Sequence, residues 1–294
     1  MNRLPIGATL VAAGLLCMSV SAQAREFIGF SQPGLPDSWA WQLYPTIQPN
    51  SAGTNSAFTF AELAYFSKTG FTGTTRDQFE YWVGADIGYA NTKGAEGSSG
   101  WGVASPEIGL EYYYQLVQPT SQPGSADYRS FWISPTIDVN FPNGNTQSTG
   151  FGAGDDQYSI QANVATFNQW GKVLLTFVPV EIDYDFQNLN RTPVTGIPNA
   201  FMNARGGLSV TVGDLALAYQ VTPDLAIGIL QQFNINNIAN SDFVSSREGF
   251  IGPGFTYAGF RRLGLFFAGA IQDDYYRDHM DHNTYVALWV TKRF

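Results

Sequence analysis

Both histidines of the chain stand in one ten-residue stretch, DDYYRDHMDH, from Asp273 to His282. Aspartate beside histidine can activate water or hold a cation, and His279 and His282 are close enough in sequence to approach one metal ion. A hydrolase built on them needs a partner from another loop, and no spacing in the chain supplies one. The default for such a stretch is a solvated polar loop. The Gly-rich NGNTQSTGFGAGDD (Asn143 to Asp156) is likewise a loop, open to weak calcium binding, because no strand–helix context makes it a phosphate cradle. We therefore assign no catalytic, cofactor-binding or metal-ligating residue and expect no enzyme. A different concentration of chemistry lies in VEIDYD, where Glu181, Asp183 and Asp185 occupy alternate positions. In a strand alternate residues share a face, so these three carboxylates form one acidic stripe.

What could position such a stripe is legible from the periodicity. In Phe79 to Tyr89 the odd positions are Phe79, Tyr81, Val83, Ala85, Ile87 and Tyr89, against Glu80, Trp82, Gly84, Asp86 and Gly88. Asp127 to Phe141 and Gln157 to Phe167 alternate in the same way, between clusters of Gly, Asn, Asp, Pro and Ser. Repeated alternation of this kind is the signature of two-faced strands. It recurs over 38–48, 57–67, 78–90, 102–117, 127–141, 157–168, 171–186, 207–220, 224–235, 249–258, 262–273 and 283–294. From the sixth segment onward short connections (WG, VTPD, GFRR) alternate with long ones, the rhythm of short periplasmic turns and longer outer loops.

Composition says which solvent the apolar faces meet. Only 13% of residues are charged while 15% are aromatic, against roughly 25% charged in a typical soluble domain. The first 24 residues carry one positive charge, an apolar stretch centred on Leu10 to Val20, and Ala22-Gln23-Ala24, which reads as a secretory signal cut between Ala24 and Arg25. Its loss removes Cys17, the one cysteine, and takes Lys+Arg from 15 to 14 against 24 acids, a formal charge of −10. Such a chain is a poor partner for nucleic acid. No later stretch approaches the ~20 apolar residues of a membrane helix, and a closed barrel is the other structure that satisfies every backbone group in lipid.

The expected fold is therefore all-β: one closed antiparallel transmembrane barrel over 25–294, of about twelve strands with ten or fourteen open, in the bacterial outer membrane. A secreted β-sandwich is the competing architecture, but it would leave charges on its exposed faces. Here the less apolar faces carry Gly, Ser, Asn and Gln instead, as a lumen would. The final TYVALWVTKRF alternates to a terminal Phe294, which resembles the C-terminal signal that outer-membrane proteins present to their assembly machinery. Lys292 departs from it at one apolar slot, where its stem can snorkel.

If apolar faces meet lipid, the other faces line the lumen. The expected lining includes Glu80, Trp82, Asp86, Glu107, Glu111, Tyr113, Trp132, Asp138, Trp289 and Arg293, with Asp214 at a bulge near Gly213. In 171–186 it comprises Phe177, with Val173, Leu175 and Pro179, at one end and Glu181, Asp183 and Asp185 at the other. Acids and aromatics suit neutral or aromatic solutes, or cations, and disfavour anions. Interior packing near one mouth is the alternative role for the same residues.

Several blocks, GVASPEIGLEYYYQL, ISPTIDVNFPNGN, GAGDDQYSIQ, GDLALAYQVTPDLAIGIL, GPGFTY and VTKRF, occur in an order that resembles the outer-membrane family labelled "meta-pathway of phenol degradation", transporters associated with aromatic catabolism. The resemblance runs from about Gly102 to the end. It implies passive entry of small hydrophobic or aromatic molecules without a cofactor, with lipid, the barrel-assembly machinery and the solute as partners. An outer-membrane hydrolase, or an adhesive protein working through its outer loops, is the alternative.

Overall fold

The computed structural model describes residues 36–49, 54–92, 99–121, 125–142, 158–186, 207–239, 245–278, 282 and 284–294. The signal segment, its Ala24/Arg25 junction, His279 and the Asn143–Asp156 loop lie outside the described residues. Within them run twelve strands: β1 (Ser38–Pro49), β2 (Thr54–Phe66), β3 (Asp77–Thr92), β4 (Ser99–Val117), β5 (Arg129–Asn140), β6 (Ser159–Trp170), β7 (Val173–Asp185), β8 (Leu208–Thr222), β9 (Leu225–Ala239), β10 (Ser246–Phe260), β11 (Leu265–Asp278) and β12 (Thr284–Arg293). Each pairs antiparallel with its sequence neighbours, and β12 pairs back onto β1, from Ala40 opposite Arg293 to Ile47 opposite Val286. The sheet is closed, so no edge strand is left with unpaired backbone groups. The Phe294 amide donates to the Trp39 carbonyl at 2.9 Å, tying the last residue to the first strand. Lys292 lies along this seam, its Nζ donating to the Leu263 carbonyl and standing 5.0 Å from the centre of the Phe294 ring.

The outside of the cylinder is apolar. Val83, Ile87, Ile108, Ile137, Ile182, Leu217, Ile229 and Ile271 are all exposed there. Aromatic pairs cap this band at both ends: Trp39–Tyr65 and Phe260–Phe267 at the end carrying the termini, Tyr89–Trp101, Phe141–Tyr158 and Tyr184–Phe186 at the other. Water would make such a surface untenable, whereas a bilayer places hydrocarbon against the band and headgroups against the rings. A sandwich would bury these residues between two sheets; here they face out.

Turns at the end carrying the termini are short where the sequence allows it. Gly171 at φ 56° and Gly264 at φ 63° take the left-handed conformation in the tight connections after β6 and before β11. The longer turn 67–76 is organised by the buried Asp77 carboxylate. It accepts from the Gly70 amide (3.3 Å), the Thr72 amide (2.7 Å), the Thr72 hydroxyl (2.5 Å) and the Tyr112 hydroxyl (2.9 Å). By rule of loop length this is the periplasmic end.

Bulges correct part of the expected lining. Between Asn163 and Thr166 of β6 stand two residues, while β7 sets Val178, Pro179 and Val180 against them. Proline has no N–H for the ladder and belongs at such an irregularity. The extra residue reverses the facing of the first half of β7. Phe177 is exposed on the outer wall, not in the lumen, and Pro179 is exposed with it. Val173 and Leu175 follow Phe177 to the outside, paired with outward Tyr219 and Leu217. Leu174, Thr176 and Val178 point inward instead, opposite the inner wall positions Ala218, Ala216 and Asp214. On β8 the register shifts between Val212 and Leu215, Gly213 has φ 66°, and Asp214 is buried inside.

Candidate functional site

The interior is built by cross-strand pairing, since residues opposite each other in register share a face. Three successive rows cross β4 to β8 in the outer half. Glu107, Asn140, Ser159 and Asp185 form the first; Gly109, Asp138, Gln161, Asp183 and Ser209 the second; Glu111, Thr136, Asn163, Glu181 and Thr211 the third. The third continues through Asn234 to Glu248 on β10. The alternation in VEIDYD thus delivers its acids to one patch together with acids from β4 and β5. Asp183 feels the charges of Asp185, Glu181, Asp138 and Glu107, and Asp214 that of Glu181. No lysine or arginine stands in these rows.

Nearer the periplasm the acids are tied into a belt. Thr291 donates to Gln42 (3.2 Å), and Gln42 Nε2 reaches both Glu62 and Glu80 at 3.0 Å. The Tyr113 hydroxyl lies 2.7 Å from Glu80 and 2.7 Å from Glu111, whose other oxygen accepts from Ser134. Arg293 points inward opposite Ala40, senses the charge of Glu80, and stacks its guanidinium 4.7 Å from the Phe266 ring centre. Trp82 lies flat on Gly109, where an added Cβ would sit 1.8 Å from its ring, and donates Nε1–H to Glu107 at 2.6 Å. Tyr113, Trp82, Phe167 and Val178 form one buried cluster, with half-buried Trp132 packed on it.

The facing wall, β8 to β12, is made of small residues: Ala216, Ala226, Gly228, Gly252, Gly254, Ala268, Ala270 and Ala287. Large side chains from elsewhere use the room. Tyr44, Phe60, Leu230 and Trp289 pack into one buried cluster with Ala216, Ala270 and Ala287. Phe60 also covers Gly84 and Leu230 covers Gly254. Tyr44 meets the edge of Trp289 at 6.3 Å between centroids, and Phe250 meets Tyr285 at 6.4 Å. Asp86 is buried and close enough to Tyr285 to interact with it electrostatically. The periodicity identifies Trp289; Tyr44, Phe60 and Leu230 are not among the expected lining, although Phe60 and Leu230 each stand in an alternating stretch whose facing can be read.

At the outer mouth His282 contacts Asp274 through Nδ1 and Asp273 through Nε2 at 3.5 Å. Arg277 pairs with Asp274 at 3.1 Å, and Thr284 donates to Asp273 at 3.1 Å. One ligand atom each of Asp273, Asp274 and His282 lies within 4.8 Å of the others. Asp273 and His282 are exposed, the Asp274 side chain is buried between its partners, and the arginine already holds that carboxylate.

Fold and surface together settle the setting. The chain is an outer-membrane β-barrel. Its fold matches that of an outer membrane channel from Pseudomonas putida F1 with a TM-score of 0.70, at 12% identity over 90% of this chain and 98% of that one. Looser likenesses are to the NanC porin (TM-score 0.43, 9% identity, 86% and 98% covered) and to the translocator domain of the autotransporter NalP from Neisseria meningitidis (0.42, 12%, 94% and 96%). No protein-family model matches the chain, and no curated protein matches it.

Proposed function

We propose that this barrel is a channel for passive entry of small hydrophobic or aromatic molecules across the outer membrane. The observation that carries the reading is an interior with two chemistries inside one closed cylinder: aromatic side chains standing against an alanine and glycine wall, faced by carboxylates and amides. Tyr44, Phe60 and Trp289 are at most 5% exposed, so the passage at mid-height is narrow rather than a wide aqueous pore. A flat apolar solute replaces ring–ring contacts with equivalent ones as it moves, each worth about 0.5–1.5 kcal/mol beyond burial. A sugar finds no such exchange there and must shed its water. The resemblance of the blocks from Gly102 onward to the phenol-degradation family agrees in solute class, and the fold shared with the Pseudomonas putida outer membrane channel agrees with a channel.

Liposome swelling tests it. Proteoliposomes are exposed to small neutral aromatic solutes and to sugars of similar mass, each corrected for protein-free vesicles. Faster swelling with the aromatics supports the reading. Swelling with no solute removes the channel altogether.

A further inference from the structure

The carboxylate wall has a feature that the channel reading does not explain: several of its buried side-chain oxygens meet no hydrogen-bond donor. In its three rows Asp138, Gln161 and Asp183 stand side by side on β5, β6 and β7, with Asn140, Asn163 and Glu181 in the adjoining rows. Directly opposed residues in such a ladder have Cα atoms about 4.5–5.5 Å apart, so the patch is about 10 Å across three strands. Gln161, Asn163, Asn140 and Asp183 are 1%, 6%, 3% and 8% exposed. In each, a side-chain oxygen meets no hydrogen-bond donor: Oε1 of Gln161, Oδ1 of Asn163, Asn140 and Asp183. Each such buried acceptor carries a desolvation penalty of about 1–3 kcal/mol. They share the inner face with carboxylates, so they are aimed at the same space.

A ligand that satisfies this set brings several hydrogen-bond donors spread over a distance, and the carboxylates of the same rows favour one that is positive. A compact metal ion needs its ligands converging on one point. Among the described residues, the group of His and acids gathered that closely is Asp273, Asp274 and His282 at the mouth, not this wall. An ammonium offers three N–H donors and a guanidinium five in a planar fork. We propose that the β5–β7 patch is a binding site for an organic cation bearing primary ammonium or guanidinium groups. One group sits between Asp138 and Asp183 and donates to Gln161 Oε1; a second, on a longer ligand, reaches Glu181 and Asn163. This deepens the channel reading by adding a solute class, positively charged amines, held on the wall facing the alanines.

Calorimetry on the full chain in detergent micelles tests the site independently of transport. The probe is 1,4-diaminobutane, with 1,4-butanediol as its uncharged counterpart and Ca²⁺ as the compact cation. The expected result is saturable binding of the diamine, none of the diol, and weaker binding of Ca²⁺. The Asp138→Asn/Asp183→Asn variant should bind the diamine at least ~10-fold more weakly, a loss of about 1.4 kcal/mol. Gln161→Leu, which keeps every carboxylate, should weaken it by a smaller factor. Should the double variant fail to migrate as a folded barrel on unheated gels, the Gln161→Leu result decides. Equal diamine affinity in wild type and variants, or tighter binding of Ca²⁺ than of the diamine, overturns the proposal. Conductance of the wild type in a planar bilayer, read separately, reports on the channel itself, so loss of one reading is not mistaken for loss of the other.

Discussion

The two inner walls of this barrel obey the same alternation and differ in how far down the barrel their polar contents run. On β4 to β8 the inward positions of the outer half are acids, amides and hydroxyls. On β9 to β12 the inward positions at mid-height are mainly alanine and glycine, overlaid by aromatic rings from β1, β2 and β12, while Gln232, Asn234, Asn236, Glu248 and Gln272 keep the outer half polar. A water-soluble core could not tolerate the first wall, because each buried carboxylate costs several kcal/mol unless compensated. The second wall alone would close into a packed apolar core. Placed face to face they do neither: aromatic and leucine side chains fill the room over the small residues, and the acids keep the opposite face polar. On the proposed function this asymmetry is what selects the solute, and it can be broken one wall at a time.

The largest effect is expected where packing is tightest. Gly109→Val places a branched side chain where the Trp82 ring now lies. Expelling that ring forfeits a burial of the size lost in Trp→Ala changes, about 3–5 kcal/mol. The temperature at which the folded form disappears on gels should fall sharply, and the Trp82–Glu107 hydrogen bond should go with it. Next comes the facing of β7. Phe177→Arg puts a charge on the lipid side at a cost of about 2–4 kcal/mol at the midplane. A cysteine at 177 should resist water-soluble thiol reagents in proteoliposomes; ready labelling there would restore Phe177 to the lumen and remove the bulge from the account. On the acid wall, Asp138→Asn/Asp183→Asn should leave the fold intact and lower the cation-to-anion permeability ratio several-fold, an effect below about 1.4 kcal/mol. On the small-residue wall, Ala268→Leu should lower conductance by less than half and leave that ratio unchanged. If instead Ala268→Leu shifts selectivity and the acid variant does not, the division of labour between the walls is wrong.

The barrel was legible because alternation is a local property. Phe79 to Tyr89 shows which residues face which side without reference to any other strand, and the described strands fall on the expected segments. The same locality made the acid patch readable from Glu181, Asp183 and Asp185. What failed was parity across an irregularity. Gly213 announced the bulge on β8 because the apolar parity of 207–220 changes at Gly213-Asp214, and a glycine inside a strand often marks a bulge. Pro179 was the equivalent signal on β7, and reading straight through it sent Val173, Leu175, Phe177 and Pro179 inward. The apolar wall was harder for a different reason. Tyr44, Phe60 and Leu230 acquire their role by lying over small residues of other strands, as Phe60 does on Gly84 and Leu230 on Gly254. Register between strands decides that, and register is not written in any one segment.

The most direct test is the reversal potential of single wild-type barrels in a planar bilayer under a tenfold KCl gradient. A narrow, conducting pore whose reversal potential lies on the potassium side is the expected result, since inward carboxylates greatly outnumber inward guanidiniums among the described residues. A chloride-side potential, or a folded and inserted barrel that passes no current, contradicts the account.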